Sequence, residues 1–238
     1  MAPRDKNSIG CWIRQRSPRA VSSISNGPKV GPVTADALRA RFSDTRLPVD
    51  PLDVVMPPGL RRWPHGLREK LDGPLTPAGV LIPVMERASG LSVLLTQRAA
   101  HLKHHAGQVS FPGGRMEHHD EDVQAAALRE THEEVGIAPH QVDVIGYLRS
   151  MPTITGFAVT PVVGVVRDAA ELVVDRTEVD YAFEVPLDYL LDERNDRLCD
   201  REFEGRTFQL IEFHHGGERI WGATAYMLLA FRKYVLNK

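Results

Sequence analysis

Residues 127–136 read ALRETHEEVG and crowd Glu130, Glu133 and Glu134 into little more than one helical turn. Side chains three or four positions apart on a helix are surface neighbours, so carboxylates at this spacing repel one another. Arg129 stands beside them as the one nearby offset. Glutamate is a good helix former, and a run of it commonly marks a solvated face. The other reading is a set of carboxylates arranged to hold a cation. The flanking residues decide between the two.

Working outward, DEDVQAAALRETHEEV (120–135) predicts a helix. Asp120, Glu121 and Asp122 suit its positive N-terminal end, and Gly136 is a natural stop. Leu128, Thr131 and Val135 recur at helical spacing and are expected to face the core, with Glu130, Glu133 and Glu134 projecting outward. Upstream, HLKHHAGQVSFPGGR (101–115) reads as a loop from its Gly and Pro content. A glycine-rich turn lets the backbone approach a ligand closely. Carboxylates beside such a turn suit a hard divalent cation, whose shell is completed by waters and phosphate oxygens. The combination points to phosphate chemistry.

The rest of the 238-residue chain is ordinary for a globular protein, with 42% hydrophobic and 25% charged residues and a formal net charge of -2. No charge excess points to nucleic acid or a membrane, and no apolar run reaches the roughly 20 residues of a membrane helix. Cys11 and Cys199 form neither a disulfide framework nor a CxxC site, so a cytoplasmic setting is expected. Residues 1–30, rich in Arg, Ser and Pro, read as a basic tail without fixed structure; a transit peptide is the alternative. Thr34 is expected to cap a short helix within 33–42, with Leu38 and Phe42 on one side. Proline-rich residues 47–78 are expected to wrap over a core domain spanning 79–238. There, GVLIPVMER (79–87) and LSVLLTQR (91–98) predict a hairpin about Ala88-Ser89-Gly90. Further strands are expected at 142–148, 159–166 and 181–187, a polar hairpin at 201–213 and a closing helix at 221–235. One mixed α/β domain is the economical architecture.

PGGRMEHHDEDVQAAALRETHEEVGI resembles the Nudix box, G-x5-E-x7-R-E-U-x-E-E-x-G-U with U aliphatic, the signature of hydrolases that cut diphosphates. Arg129, Glu130, Glu133, Glu134, Gly136 and Ile137 match. Thr131 replaces an aliphatic residue, and its hydroxyl needs a partner. Gly114 lies one residue too far upstream, so the early acid of the pattern is Glu121 or Asp120. A second stretch, LLTQRAAHLKHHAGQVSFPGG (94–114), is similar to the motif LLTxR[SA]x3Rx3Gx3FPGG of coenzyme A pyrophosphatases. Lys103 stands where that motif has arginine, keeping the charge but not a bidentate contact.

The resemblance implies an α/β/α sandwich with a mixed sheet between helices. It also implies Mg2+ or Mn2+ held by Glu130, Glu133 and Glu134, and hydrolysis of coenzyme A to 3',5'-ADP and 4'-phosphopantetheine. Glu130, Glu134 and Glu178 are its candidates for the general base, with Arg129 orienting the glutamates. Arg98, Lys103 and Arg115 are candidates for phosphate binding, and Gly113 and Gly114 for backbone approach. The histidines of the 101–119 region lack zinc-site spacing. ADP-ribose or NADH as substrate, and a non-catalytic nucleotide sensor, are the competing readings. Relatives of this type also suggest a homodimer.

Overall fold

The structure, a computed structural model, describes residues 14–15, 33–102, 105–167 and 171–237. The expected hairpin forms between β2 (Thr76–Arg87) and β3 (Gly90–Arg98) and founds the larger sheet. β8 (Phe157–Val166) runs parallel to β2, and β6 (Val142–Tyr147) lies antiparallel to β8, which makes the sheet mixed. The short β7 (Met151–Pro152) also joins β8, and β9 (Val179–Pro186) pairs with β3 on its other side.

β2 and β3 pair only near their turn, Val84–Arg87 against Gly90–Val93. Beyond Val84 they part. The gap is filled by β4 (Val109–Ser110) against β3 and β5 (Gly113–Arg115) against β2. Residues 101–115, expected as a loop, therefore supply two strands. Glycine and proline signal a turn locally, but the parted strands offer unpaired backbone groups that must be satisfied.

The period-2 alternation of the strands serves two faces. Leu81, Met85, Leu94, Val162 and Val166 pack beneath α3 (Val123–Val135). Ile82, Val84, Val93, Leu95 and Val163 join the larger core on the opposite face. That core is closed by α1 (Ala35–Phe42), α4 (Leu187–Leu191) and α5 (Gly222–Leu236), which gives the α/β/α sandwich. Thr34 caps α1 as its sequence predicts, accepting from the Ala37 N–H at 3.2 Å.

Two expectations change. The hairpin of β10 (Arg197–Phe203) and β11 (Arg206–His215) is not polar throughout, because Cys199, Phe203, Phe208, Leu210 and Phe213 are buried. Its polar residues alternate to the outside, except for a buried Arg201–Glu212 ion pair, whose Glu212 also contacts His214 at 3.1 Å. β12 (Glu218–Trp221) and β1 (Arg14–Gln15) complete this second sheet; the remainder of the basic tail lies outside the described residues. The wrapping segment contains an unforeseen helix, α2 (His65–Leu71), which buries Leu67 and Leu71. Seven residues flanked by prolines leave little periodic signal.

Leu38 and Phe42 of α1 are fully buried, and the Phe42 ring lies 5.7 Å from that of Phe231 in α5. Phe42→Ala is expected to cost about 3–5 kcal/mol, measured by urea denaturation. A loss below about 1 kcal/mol would show that α1 is dispensable to the fold.

Candidate active site

The α3 helix begins at Asp122, whose carboxylate accepts from the Ala125 N–H at 2.8 Å, and ends at left-handed Gly136. Val123, Ala126, Ala127, Thr131 and Val135 are buried. The Thr131 hydroxyl donates to the Ala127 carbonyl at 2.6 Å, so a polar side chain sits fully buried without an orphaned group. Leu128, expected in the core, is only partly buried.

Glu134 departs further from expectation. It does not face outward but is 1% exposed. The side of α3 that carries it lies against the inserted β5 rather than solvent. Its carboxylate accepts from the Gly113 N–H at 3.3 Å and from Arg98 Nη1 at 3.4 Å.

Glu130, one turn earlier, lies over Gly114. A Cβ on Gly114 would fall 2.5 Å from the Glu130 carboxyl carbon, and one on Gly113 (φ 144°) would fall 2.4 Å from the Gly79 carbonyl oxygen. Both positions require glycine for space, and Gly113 also for its backbone angle. Glu178 comes from a distant loop. That loop is tied down by Asp175 N–H to the Glu134 carbonyl at 3.0 Å and by Ala99 N–H to the Glu178 carbonyl at 2.9 Å. Carboxylate oxygens of Glu130, Glu134 and Glu178 thereby lie within 4.8 Å of one another. Three hard oxygen donors at this separation, one of them buried, fit a hard divalent cation.

Glu133 is not in this converging set. It is displaced around the helix from the 130/134 face, and its exposed side chain meets Arg129 Nη1 at 3.0 Å. Arg129 organises the region. It binds Asp120 through Nε at 2.9 Å and Nη2 at 3.0 Å, Glu130 at 2.9 Å, and the Arg115 carbonyl at 3.4 Å. Between the two acids open in the sequence, Asp120 is the buried partner and Glu121 is exposed. Arg129 holds the Asp120 carboxyl below its usual value.

A cavity of about 1010 Å3 adjoins these residues, with Arg98, Gly113, Gly114 and Arg115 in its wall. Arg98 is engaged with Glu134, while exposed Arg115 pairs with Glu117 at 2.6 Å. Lys103 lies outside the described residues. The cavity also takes Trp63, Phe208 and Tyr226 from segments far apart in sequence.

Burial, more than any other cause, pushes the Glu134 carboxyl up from 4.5 to about 8. Arg98 and the Gly113 N–H oppose the shift; Glu130 and Glu178 add to it. Glu130 is raised as well, chiefly by burial and against the pull of Arg129. Because the folded value of Glu134 is the higher, its contribution favours the metal-free fold at low pH and is lost as pH rises from 4.5 towards about 8. A cation must displace that proton. Mn2+ affinity is therefore expected to rise by up to about tenfold per pH unit below pH 8 and then level off, with this dependence absent in Glu134→Gln. Titration of Mn2+ by electron paramagnetic resonance checks both; a flat profile in the wild type shows that no proton is displaced at Glu134, and an affinity that Glu134→Gln leaves unchanged removes Glu134 from the cation site. Gly114→Ala, which displaces Glu130, should weaken Mn2+ at least about tenfold in the same titration, with the circular dichroism spectrum retained.

The NUDIX domain model matches residues 75–226. The proteins named uncharacterized Nudix hydrolase NudL of Salmonella paratyphi B and Salmonella newport are each 42% identical to the chain over 151 residues. The match covers 63% of this chain and 78% of theirs. Among solved structures, the MutT/nudix family protein of Enterococcus faecalis is 16% identical with a TM-score of 0.45, covering 70% of this chain and 64% of that one. The Nudix hydrolase RenU of M. smegmatis is 25% identical with a TM-score of 0.42, covering 49% and 74%. These structural overlaps are partial, and the assignment rests on the domain match and the NudL identity. Among the described residues no helix is long and apolar enough to cross a membrane. With Glu130 and Glu134 of the Nudix box brought together beside Gly113 and Gly114, the chain belongs to the Nudix family and is a Nudix hydrolase, a diphosphatase.

Proposed function

We propose that the chain hydrolyses the diphosphate bond of coenzyme A or its derivatives, releasing 3',5'-ADP and 4'-phosphopantetheine or its acyl form. The observation that carries this reading is the joining of two features at one place. The triad of Glu130, Glu134 and Glu178 stands against Gly113 and Gly114, and those glycines end the LLTQR…FPGG stretch that resembles coenzyme A pyrophosphatases.

Glu130, Glu134 and Glu178 hold Mg2+ or Mn2+ in this reading, with Glu133 bordering them through Arg129. Such a cation neutralises diphosphate oxygens and acidifies water. The chain's own groups do the rest. Gly113 and Gly114 let the diphosphate approach the backbone. Arg98, Lys103 and Arg115 supply cationic donors for phosphate, including the 3'-phosphate of coenzyme A. Arg129 fixes Glu130 by anchoring itself on Asp120. Glu178, exposed and on a loop, is the carboxylate of the three that water reaches most freely, and we assign it as general base.

The same chemistry on ADP-ribose or NADH is the second reading, because the triad and glycines recognise a diphosphate rather than its substituents. Chromatography of products from coenzyme A, ADP-ribose and NADH, each with Mg2+ and with Mn2+, decides between them. Coenzyme A is expected to have the highest kcat/KM, and faster turnover of ADP-ribose would displace it. Glu134→Gln should lower kcat to below about a hundredth of wild type, since even outer-shell changes cost 10–100-fold. Its melting temperature is expected to hold or rise at neutral pH, because the amide is buried uncharged without the cost of taking up a proton on folding.

A further inference from the structure

The second sheet carries a group of polar side chains that the active site does not use. Residues two positions apart on a strand share a face, so Glu212 and His214 of β11 project together. Cys199 of β10 pairs in register with Leu210, which sets it on that same face, one diagonal step from Glu212. The rest of the face is mostly hydrocarbon, from Phe203, Phe208 and Leu210, with Arg201 among them. Cys199, Glu212 and His214 stand apart from the lining of the active-site cavity.

Their donor atoms converge. A thiol sulfur, a carboxylate oxygen and an imidazole nitrogen, one from each residue, lie within 4.8 Å of one another. Cys199 and Glu212 are buried, at 3% and 0% exposure, while the His214 side chain is 33% exposed. Glu212 divides its two oxygens. Oε1 accepts from Arg201 Nη2, and Oε2 lies 3.1 Å from His214 Nε2. Arg201 is itself held, donating through Nη1 to the Asp200 carbonyl at 3.0 Å. Arg219, opposite His214 in register, is engaged by the Trp221 ring, 5.1 Å from its centroid.

An ion pair alone accounts for Arg201 and Glu212, since each buried charge offsets the other. It does not explain why a thiol and an imidazole meet the same carboxylate within an apolar layer. Sulfur, nitrogen and oxygen donors together are the ligand types of Zn2+, whereas Mg2+ takes oxygen. Tetrahedral Zn2+ at its usual bond lengths sets its ligand atoms roughly 3.3–3.6 Å apart. The Glu212–His214 separation of 3.1 Å is already close to that.

We infer that Cys199, Glu212 and His214 form a second cation site, for Zn2+, separate from the converging carboxylates of the active site. Cys199 binds as thiolate, its proton passing to solvent, and His214 binds as neutral imidazole. Water takes the fourth position on the exposed His214 side, which is also the way in. Arg201 stays on Oε1 as a positioning residue that turns Oε2 towards the metal. Bound there, the cation cross-links β10 to β11 and steadies the strand that presents Phe208 and Leu210 to the cavity.

Co2+ is the probe, because a thiolate ligand gives it an intense near-ultraviolet charge-transfer band that oxygen ligands do not. The full chain is titrated with Mg2+ in large excess, which occupies oxygen-only sites. Cys11→Ser leaves Cys199 as the one cysteine of the chain. In that protein a single equivalent of Co2+ should raise the band, and Zn2+ should abolish it by displacement. His214→Gln, at a partly exposed position, should weaken Co2+ by at least about tenfold. Cys199→Ser should remove the band with the circular dichroism spectrum retained; if that variant does not fold, Cys11→Ser and His214→Gln carry the test. Glu134→Gln should leave the band unchanged. Absence of the band in Cys11→Ser, an affinity that His214→Gln does not alter, or loss of the band in Glu134→Gln overturns the site.

Discussion

The parting of β2 from β3 is the constraint on which the site depends. Once those strands diverge beyond Val84, their inner backbone groups need partners, and the Val109–Arg115 segment supplies them. The Leu81 N–H reaches the Pro112 carbonyl at 2.9 Å, and Gly113 pairs with Val80. A turn that would be mobile in isolation is thus held as part of the sheet. Its two glycines become a fixed surface, one donating to Glu134 and the other lying under Glu130. A side chain at Gly114 would displace the Glu130 carboxylate, and one at Gly113 would collide with the β2 backbone at Gly79 and Val80.

The crowding of charge is resolved in two ways. Arg129 takes up Glu133 and part of Glu130, and its hold on Asp120 fixes the guanidinium itself. That network is partly exposed, so its value lies in orientation more than in stability. Glu134 is handled differently. It is buried beside Arg98, and burial outweighs the cation's attraction, leaving its carboxyl raised to about 8. A buried carboxyl with two like neighbours is poorly satisfied by the protein alone, which is the condition a divalent cation relieves.

The regions flanking the matched domain are part of the same body. Phe42 of α1 stacks near Phe231 of α5, and Trp63 lies between Phe208 and Tyr226. One contact secures the larger core, the other shapes the cavity. The N-terminal segment therefore forms part of the cavity wall, although it contributes none of the three converging carboxylates.

Local rules made much of this legible in the sequence. The capped helix around ALRETHEEVG, the β2–β3 hairpin and the Thr34 cap depend on neighbours within a few positions, and those neighbours carry the signal. The role of Gly113 and Gly114 was also visible, because residue type alone announces close backbone approach. Other features were hidden. The inward turn of Glu134 follows from where β5 sits, and its helical position alone reads as solvent-facing. Separating Asp120 from Glu121 needed the bidentate bond to Arg129. Bringing Glu178 within 4.8 Å of Glu130 and Glu134 needed a loop anchored on both β3 and α3. The sequence by itself marked the candidate carboxylates and glycines, since residue types and spacing are local. Which of them meet, and how deeply each is buried, only the tertiary structure decided, because both depend on strand pairing between segments distant in the chain.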